Sequence, residues 1–456
     1  MKETTNKLWV CALLPVTVAI FAGHAHAATG VLTGRLLFHN KNSGYCPASQ
    51  DCTGSTYPES QYDSLVGIPE AKVQILMATN NLVIGSGVTD KLGNYTVGWF
   101  APGPAVGTVV AAKIRVRYEH KDGRFRFLTT SGSIATNTSS VITLVSGNTQ
   151  AQSWYWGTTS SPQPFANSYW AAWKLWDHRL KTSARMLNRF TNVDIYGFSD
   201  DAPCAGSECA QCATSCARGW FELMSPPPAW AQQRKTLVLS ADAPYRPQER
   251  VMHEMGHMAD YLARYWRKAD NFNYGGNGGW SYEEAEYRNL ALHEGFGSFL
   301  ATSAFYHDYA PNPRTCLKSG HTSSPTHCYG SGGRGLETSS LGSCAALEGR
   351  WPVSSMRYFW DIYDEVDDGI DTIDLNLFDI FDAFGSYPCD DWPECFGAWE
   401  AHDAFGAMPS DLAYGASDIA DPDIGSGWAF RYNMLNHYAG GYDVRDEYFN
   451  NCLGVF

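Results

Sequence analysis

Over the first third of the chain, apolar and polar positions change in short β-rich runs. These are Gly34 to Phe38, Ala71 to Met77, Leu82 to Val88, Tyr95 to Trp99, Val109 to Tyr118, Phe125 to Thr130 and Val141 to Val145. Turn residues such as Asp90-Lys91-Leu92-Gly93-Asn94 separate them, and seven such strands predict an all-β sandwich. Ser153 to Ser168 is rich in Ser, Thr, Pro and Gly and reads as a linker. The period then becomes helical: Trp170, Trp173, Leu175, Trp176, Leu180, Ala184, Leu187 and Phe190 recur at helix-like spacing. Asn192 to Phe198 and Lys235 to Ser240 read as strands, with a cysteine-rich loop and Pro226-Pro227-Pro228 between them. Gln248 to Arg267 is helical again. Ser281 and Glu284 form a capping box that opens another helix running to about Tyr306.

At 456 residues the chain exceeds one compact core. A composition of 44% hydrophobic, 14% aromatic and 18% charged residues is that of a folded protein. A formal charge of −14 argues against nucleic acid or an anionic membrane as partner. Lys2 and Lys7, the apolar stretch Leu8 to Ala22 and Ala25-His26-Ala27 together resemble an export signal cleaved before Ala28. No later segment is apolar and long enough to span a bilayer. The expected location is therefore secreted, extracellular or periplasmic. Of 13 cysteines, Cys11 falls in that signal, and the remaining even number reads as disulfides in an oxidising compartment. Cys204, Cys209, Cys212 and Cys216 would alternatively hold a structural zinc. The division expected is signal peptide 1–27, β-sandwich accessory domain 28–150, linker 151–168 and a metal-bearing domain 169–456.

The chemistry concentrates at His253-Glu254-Met255-Gly256-His257, an HExxH motif inside a helical pattern. Residues four apart share one helix face, so both imidazoles can reach one ion, and histidine nitrogen suits zinc. Glu254 lies about 100° round the helix from His253. There it can take a proton from a water that zinc activates. A catalytic zinc also needs a third protein ligand. Asp260 and Ala263 occupy the positions where a glycine and a third histidine would continue a metzincin motif, so that pattern fails. The downstream helix carries His293-Glu294-Gly295-Phe296-Gly297-Ser298, whose small residues allow close helix packing.

Here the chain resembles the gluzincin metallopeptidases, whose third ligand is a glutamate on a later helix. His253-Glu254-Met255-Gly256-His257-Met258-Ala259-Asp260 is similar to the HExGHxxD form found in the group around anthrax lethal factor, over residues 245–305. Tyr287, seven residues before Glu294, matches that group's oxyanion-binding tyrosine. The resemblance implies an α+β zincin-like metallopeptidase domain with zinc ligands His253, His257 and Glu294, base Glu254 and oxyanion donor Tyr287. Each has a rival: His293 as third ligand, Tyr287 as a core aromatic, and Asp260 as either support for a histidine or a solvated charge. In zincins an extended peptide pairs with an edge strand, and Lys235 to Ser240 is the candidate for that. Gly87 to Val97 resembles the carboxypeptidase-regulatory-like, transthyretin-like sandwich, implying a module that supports or binds and carries no catalytic group.

The C-terminal part is expected to be disulfide-rich and mostly helical. Asp361, Asp364, Glu365, Asp367, Asp368, Asp371 and Asp374 crowd around Gly369. Oxygen ligands suit Ca2+, but EF-hand spacing is absent and a solvated amphipathic segment is the preferred reading. Asn94 and Asn137 stand in glycosylation sequons. The expected function is hydrolysis of protein or peptide substrates by a secreted zinc-dependent endopeptidase. The alternative is a secreted adhesin that keeps the metallopeptidase scaffold without catalysis.

Overall fold

The structure is a computed structural model describing residues 27–41, 63–103, 108–129, 131–156, 163–197, 216–220, 234–239, 248–263, 288–306, 313–315, 334–335, 352–361, 363, 376–378 and 380–381. The expected export signal, the Cys204–Cys212 cluster and almost all of the acidic stretch after Asp361 lie outside these residues. The strands are β1 (Ala28–Lys41), β2 (Asp63–Gly67), β3 (Ala71–Met77), β4 (Val83–Val88), β5 (Asn94–Ala101), β6 (Val109–His120), β7 (Phe125–Leu128), β8 (Thr136–Thr138), β9 (Ile142–Val145), β10 (Thr149–Ala151), β11 (Trp154–Trp156), β12 (Val193–Gly197), β13 (Cys216–Trp220) and β14 (Arg234–Leu239). The helices are α1 (Gln163–His178), α2 (Ala184–Arg189), α3 (Gln248–Ala263), α4 (Arg288–Ser303) and α5 (Pro352–Asp361). The fold of the described residues is β-rich, a large mixed sheet with few helices.

All seven strands expected in the first third are present. Alternation decides their faces: in β5, Tyr95, Val97, Trp99 and Ala101 point inward while their neighbours are exposed. The β4–β5 turn explains its sequence. Asp90 Oδ1 accepts from the amides of Leu92 and Asn94, both at 2.8 Å. Gly93 follows at φ +81°, and a Cβ there would lie 2.6 Å from the Leu36 carbonyl oxygen. The expected linker contributes structure of its own: Trp154, Tyr155 and Trp156 pair in parallel with Leu36, Leu37 and Phe38 of β1. A three-residue strand is too short to show a period, which is why composition suggested a loop.

The sheet does not stop at the end of the N-terminal strands. β7 pairs in parallel with β12, β12 in parallel with β14, and β14 antiparallel with β13. The neighbour order is β10-β1-β5-β4-β3-β6-β7-β12-β14-β13, with β2 and β11 on β1 and β8 and β9 on β6. Arg126 and Asp194 bridge β7 and β12 across the junction. Helix α1 packs against β1, β6, β7 and α3, so one hydrophobic core runs from Trp99 and Tyr118 through Tyr169 and Trp176 to Met255 and Phe299. No helix among the described residues is long and apolar enough to cross a membrane.

A buried polar group pins α1 to the strands. Glu70, at φ 52°, accepts from Trp173 Nε1 and His120 Nε2, both at 3.1 Å, and pairs with Lys121 Nζ at 3.0 Å. The Asp122 amide donates to His120 Nδ1, so Nε2 carries the proton of a neutral ring. Burial pushes the His120 imidazole below its ordinary value, against the pull of Glu70. Burial also raises Glu70, but the bonds and charges of Lys121, Trp173 and His120 leave it lowered. Both groups bind fewer protons folded than unfolded. Stability is therefore present above their ordinary values of 6.5 and 4.5 and falls as pH drops through them. Glu70→Gln is expected to lose about 1–3 kcal/mol at neutral pH. It should also flatten the acid part of the decline, as read by thermal midpoints across that range.

Candidate metal centre

Between Val251 and Asp260, helix α3 has two faces in sequence but none in water. Met252, Met255, Ala259 and Leu262 form an apolar face, and His253, Gly256, His257 and Asp260 a second one. Val251 to Asp260 is buried without a break. The polar face is turned onto α4, which presents Glu294, Gly297, Ser298 and Ala301 at positions i, i+3, i+4 and i+7. The helices cross at two glycines: a Cβ on Gly256 would stand 2.9 Å from Gly297 Cα. On its other side α4 is held by aromatics, with Phe296 4.9 Å and Phe299 5.7 Å from Phe359 of α5, ring centre to ring centre.

This crossing brings three predicted ligands together. Glu294 Oε2 lies 3.0 Å from His253 Nε2 and 3.4 Å from His257 Nε2. The two imidazoles stand edge to face with centroids 4.3 Å apart. One ligand atom from each residue falls within 4.8 Å of the others, and all three residues are buried. Ligand bonds of about 2.0–2.1 Å at tetrahedral angles put neighbouring donor atoms about 3.3 Å apart, so the set fits a metal ion. Two neutral nitrogens and one carboxylate are also the donor types a divalent transition ion takes.

The electrostatics are those of a site built for a cation. Burial lowers His257, but the charge and hydrogen bond of Glu294, with the charges of Glu254 and Asp260, leave it raised. Burial raises Glu294, but the charges and hydrogen bonds of His257 and His253 hold it well below the usual carboxylate range. Glu254 is buried on α3 beside the ligands. Asp260 is fully buried, which removes the reading of it as a solvated helix charge; its charge acts on His257 instead.

No protein-family model matches the chain, and no curated protein does. Among solved structures, a 9R-lipoxygenase from Cyanothece is similar over 35% of this chain and 19% of its own, at 13% identity and a TM-score of 0.13. A likeness that slight carries no argument about fold or chemistry.

Tyr287 and residues 284–286 lie outside the described residues, as does the side chain of His293. The strand expected at the substrate edge needs correction. β14 is flanked by β12 on one side and β13 on the other, so among the described residues β13 is the outer strand. The cysteine-rich segment that supplies β13 carried no strand period to reveal it.

One contributor had been read only as a small packing residue. His253 Nδ1 lies 3.2 Å from Ser298 Oγ, one helical turn beyond Glu294 on α4. With Nδ1 protonated toward the hydroxyl, Nε2 keeps its lone pair for a metal. Ser298→Ala is expected to weaken metal binding by about 10–100-fold while the protein stays folded, measured by competition with a chelator of known affinity.

Proposed function

We propose that the chain is a secreted, gluzincin-like zinc endopeptidase that hydrolyses peptide bonds of extracellular proteins. The observation that carries this is the convergence of His253, His257 and Glu294 beside the buried carboxylate of Glu254. A zinc ion held by the three ligands would supply Lewis acidity toward a water and toward the scissile carbonyl. The rest of the chemistry belongs to the chain. Glu254 accepts the proton of the attacking water and passes it to the leaving amine nitrogen. Tyr287, seven residues before Glu294 in the sequence, donates its phenol to the developing oxyanion. The outer edge of β13 pairs with an extended substrate backbone and presents it over α3, against which β13 packs.

Several features support the reading without depending on one another. The N-terminal strands have inward aromatics and an Asp-Gly turn, as in a carboxypeptidase-regulatory-like sandwich. The strands β12, β14 and β13, two parallel and one antiparallel, stand beside the metal helices as in an α+β zincin. The apolar N-terminal segment, with small residues before Ala28, is that of an exported protein, and the even number of cysteines after it suits that compartment.

The test is metal analysis of the purified full-length chain together with cleavage of a peptide library. One equivalent of zinc, and cleavage abolished by a chelator and restored by zinc, are expected. Cleavage that survives complete metal removal would overturn the mechanism. Bound zinc with no turnover on any peptide would favour a binding protein that keeps the scaffold.

A further inference from the structure

Three arginines from one short stretch of chain close the C-terminal ends of both metal-bearing helices. Arg189 Nη1 donates to the carbonyls of Leu262, at 2.9 Å, and Ala263, at 3.2 Å, the last two residues of α3. Arg185 Nη1 reaches the same Ala263 carbonyl at 3.2 Å. Arg179 Nε donates to the carbonyl of Ser303, the last residue of α4, at 2.6 Å, and its Nη2 to that of Tyr306 at 2.9 Å. A helix leaves its final carbonyls without intrahelical partners and ends in partial negative charge. A guanidinium answers both needs. Any one of these contacts would be an ordinary cap. What sets them apart is that a single segment, from the end of α1 to the end of α2, caps the helix that bears the histidines and the helix that bears the glutamate.

That segment is itself anchored. Trp173 of α1 bonds Glu70, and Lys91 of the β4–β5 turn reaches Asp177 at 2.9 Å, two residues before Arg179. Gln248 at the start of α3 donates to Asn167 of α1 at 2.7 Å. The need for such an anchor follows from the crossing. Two helices meeting at a pair of glycines touch closely at one point, about which they can pivot. Metal ligands tolerate only about 0.2 Å of displacement. His253 and His257 on one helix must therefore keep register with Glu294 on the other.

We propose that Arg179, Arg185 and Arg189 form a brace that fixes the alignment of α3 against α4, making them positioning residues for the metal ligands. This rests on the metal-site reading above. The brace acts through the helix-end carbonyls and touches neither metal nor substrate. It gives the N-terminal strands a role as the foundation of the site.

The test uses full-length Arg179→Gln and Arg189→Gln proteins, the matching Lys variants, and Arg126→Gln as a control that breaks an ion pair away from both helices. Zinc affinity is read by chelator competition, and ligand geometry by the visible absorption bands of the cobalt-substituted protein. Each Gln variant is expected to bind zinc about tenfold more weakly, with altered cobalt bands. The Lys variants should recover part of the loss, and the control should keep wild-type affinity and spectrum. Gln variants that lose thermal stability yet bind zinc and cobalt as the wild type does would overturn the brace. If a Gln variant does not fold, its Lys counterpart decides by the same two readings: intermediate affinity supports the brace, unchanged affinity and spectrum overturn it. A wild-type chain that binds no zinc overturns the metal-site reading and the brace with it.

Discussion

Glu254→Gln is expected to keep one equivalent of zinc and to lower kcat for peptide cleavage by about 10²–10⁴-fold. The substitution conserves size, so the buried position on α3 stays filled. His253, His257 and Glu294 keep every contact that brings their ligand atoms together. What disappears is a group able to take a proton and return it. The loss should fall on kcat, because Glu254 acts on the reacting atoms and is not assigned to hold the substrate. A second consequence is independent of turnover. The charge of Glu254 is one of those that raise His257, so its removal lowers the proton affinity of that ring in the metal-free protein. Zinc then competes with a more weakly held proton, but the same charge attracts a dication more strongly than a proton, so metal affinity should stay level or fall slightly. A variant that binds zinc normally and still cleaves within about threefold of wild type would remove Glu254 from the chemistry.

The parts of this site that were legible in the sequence are those encoded locally. His253 and His257 are four residues apart, and helix geometry alone puts them together. Seven strands announced themselves by alternation; β1, β5 and β6 run longer than expected, β3 matches, and β4, β7 and β9 are one or two residues shorter. β1 runs from Ala28 to Lys41, where only Gly34 to Phe38 had a clear pattern. Glu294 needed a resemblance, since nothing in the 36 residues between it and His257 reports that two helices cross. The union of β7 with β12 was not legible for the same reason, as the Arg126–Asp194 pair that bridges it spans 68 positions. Asp260 stayed open between support for a histidine and a solvated charge, because a charge on a helix normally seeks water, and its burial decides against the second. The capping arginines had no signal at all. A guanidinium bonding a distant carbonyl looks, in sequence, like any other surface charge.

Gly256→Ala should damage the metal site more than it damages the fold. Two effects oppose each other. Alanine in a helix is favoured over glycine by about 1 kcal/mol, which stabilises α3. Against this, the new methyl would sit 2.9 Å from Gly297 Cα and 3.2 Å from its carbonyl oxygen. Carbon atoms pack at about 3.5–4.0 Å, so α3 and α4 must part by about half an ångström or more. The obstructing atoms are backbone and cannot rotate away. Overpacking of that kind costs about 1–3 kcal/mol, so the net change in stability is a modest loss. The ligand set has no comparable tolerance, because its donors sit on opposite helices and a shift of about 0.2 Å already matters. Zinc affinity is therefore expected to fall by about 10–100-fold, with a thermal midpoint of the metal-free protein only slightly lowered. Gly297→Ala separates the two causes. Its methyl would meet His257 Cε1 at 3.0 Å and His253 Nδ1 at 3.1 Å, pressing on the imidazoles themselves. It should alter the cobalt absorption bands even where the helices hardly move. A Gly256→Ala protein that binds zinc as tightly as the wild type would mean that the close crossing of α3 and α4 is not what brings the three ligands together.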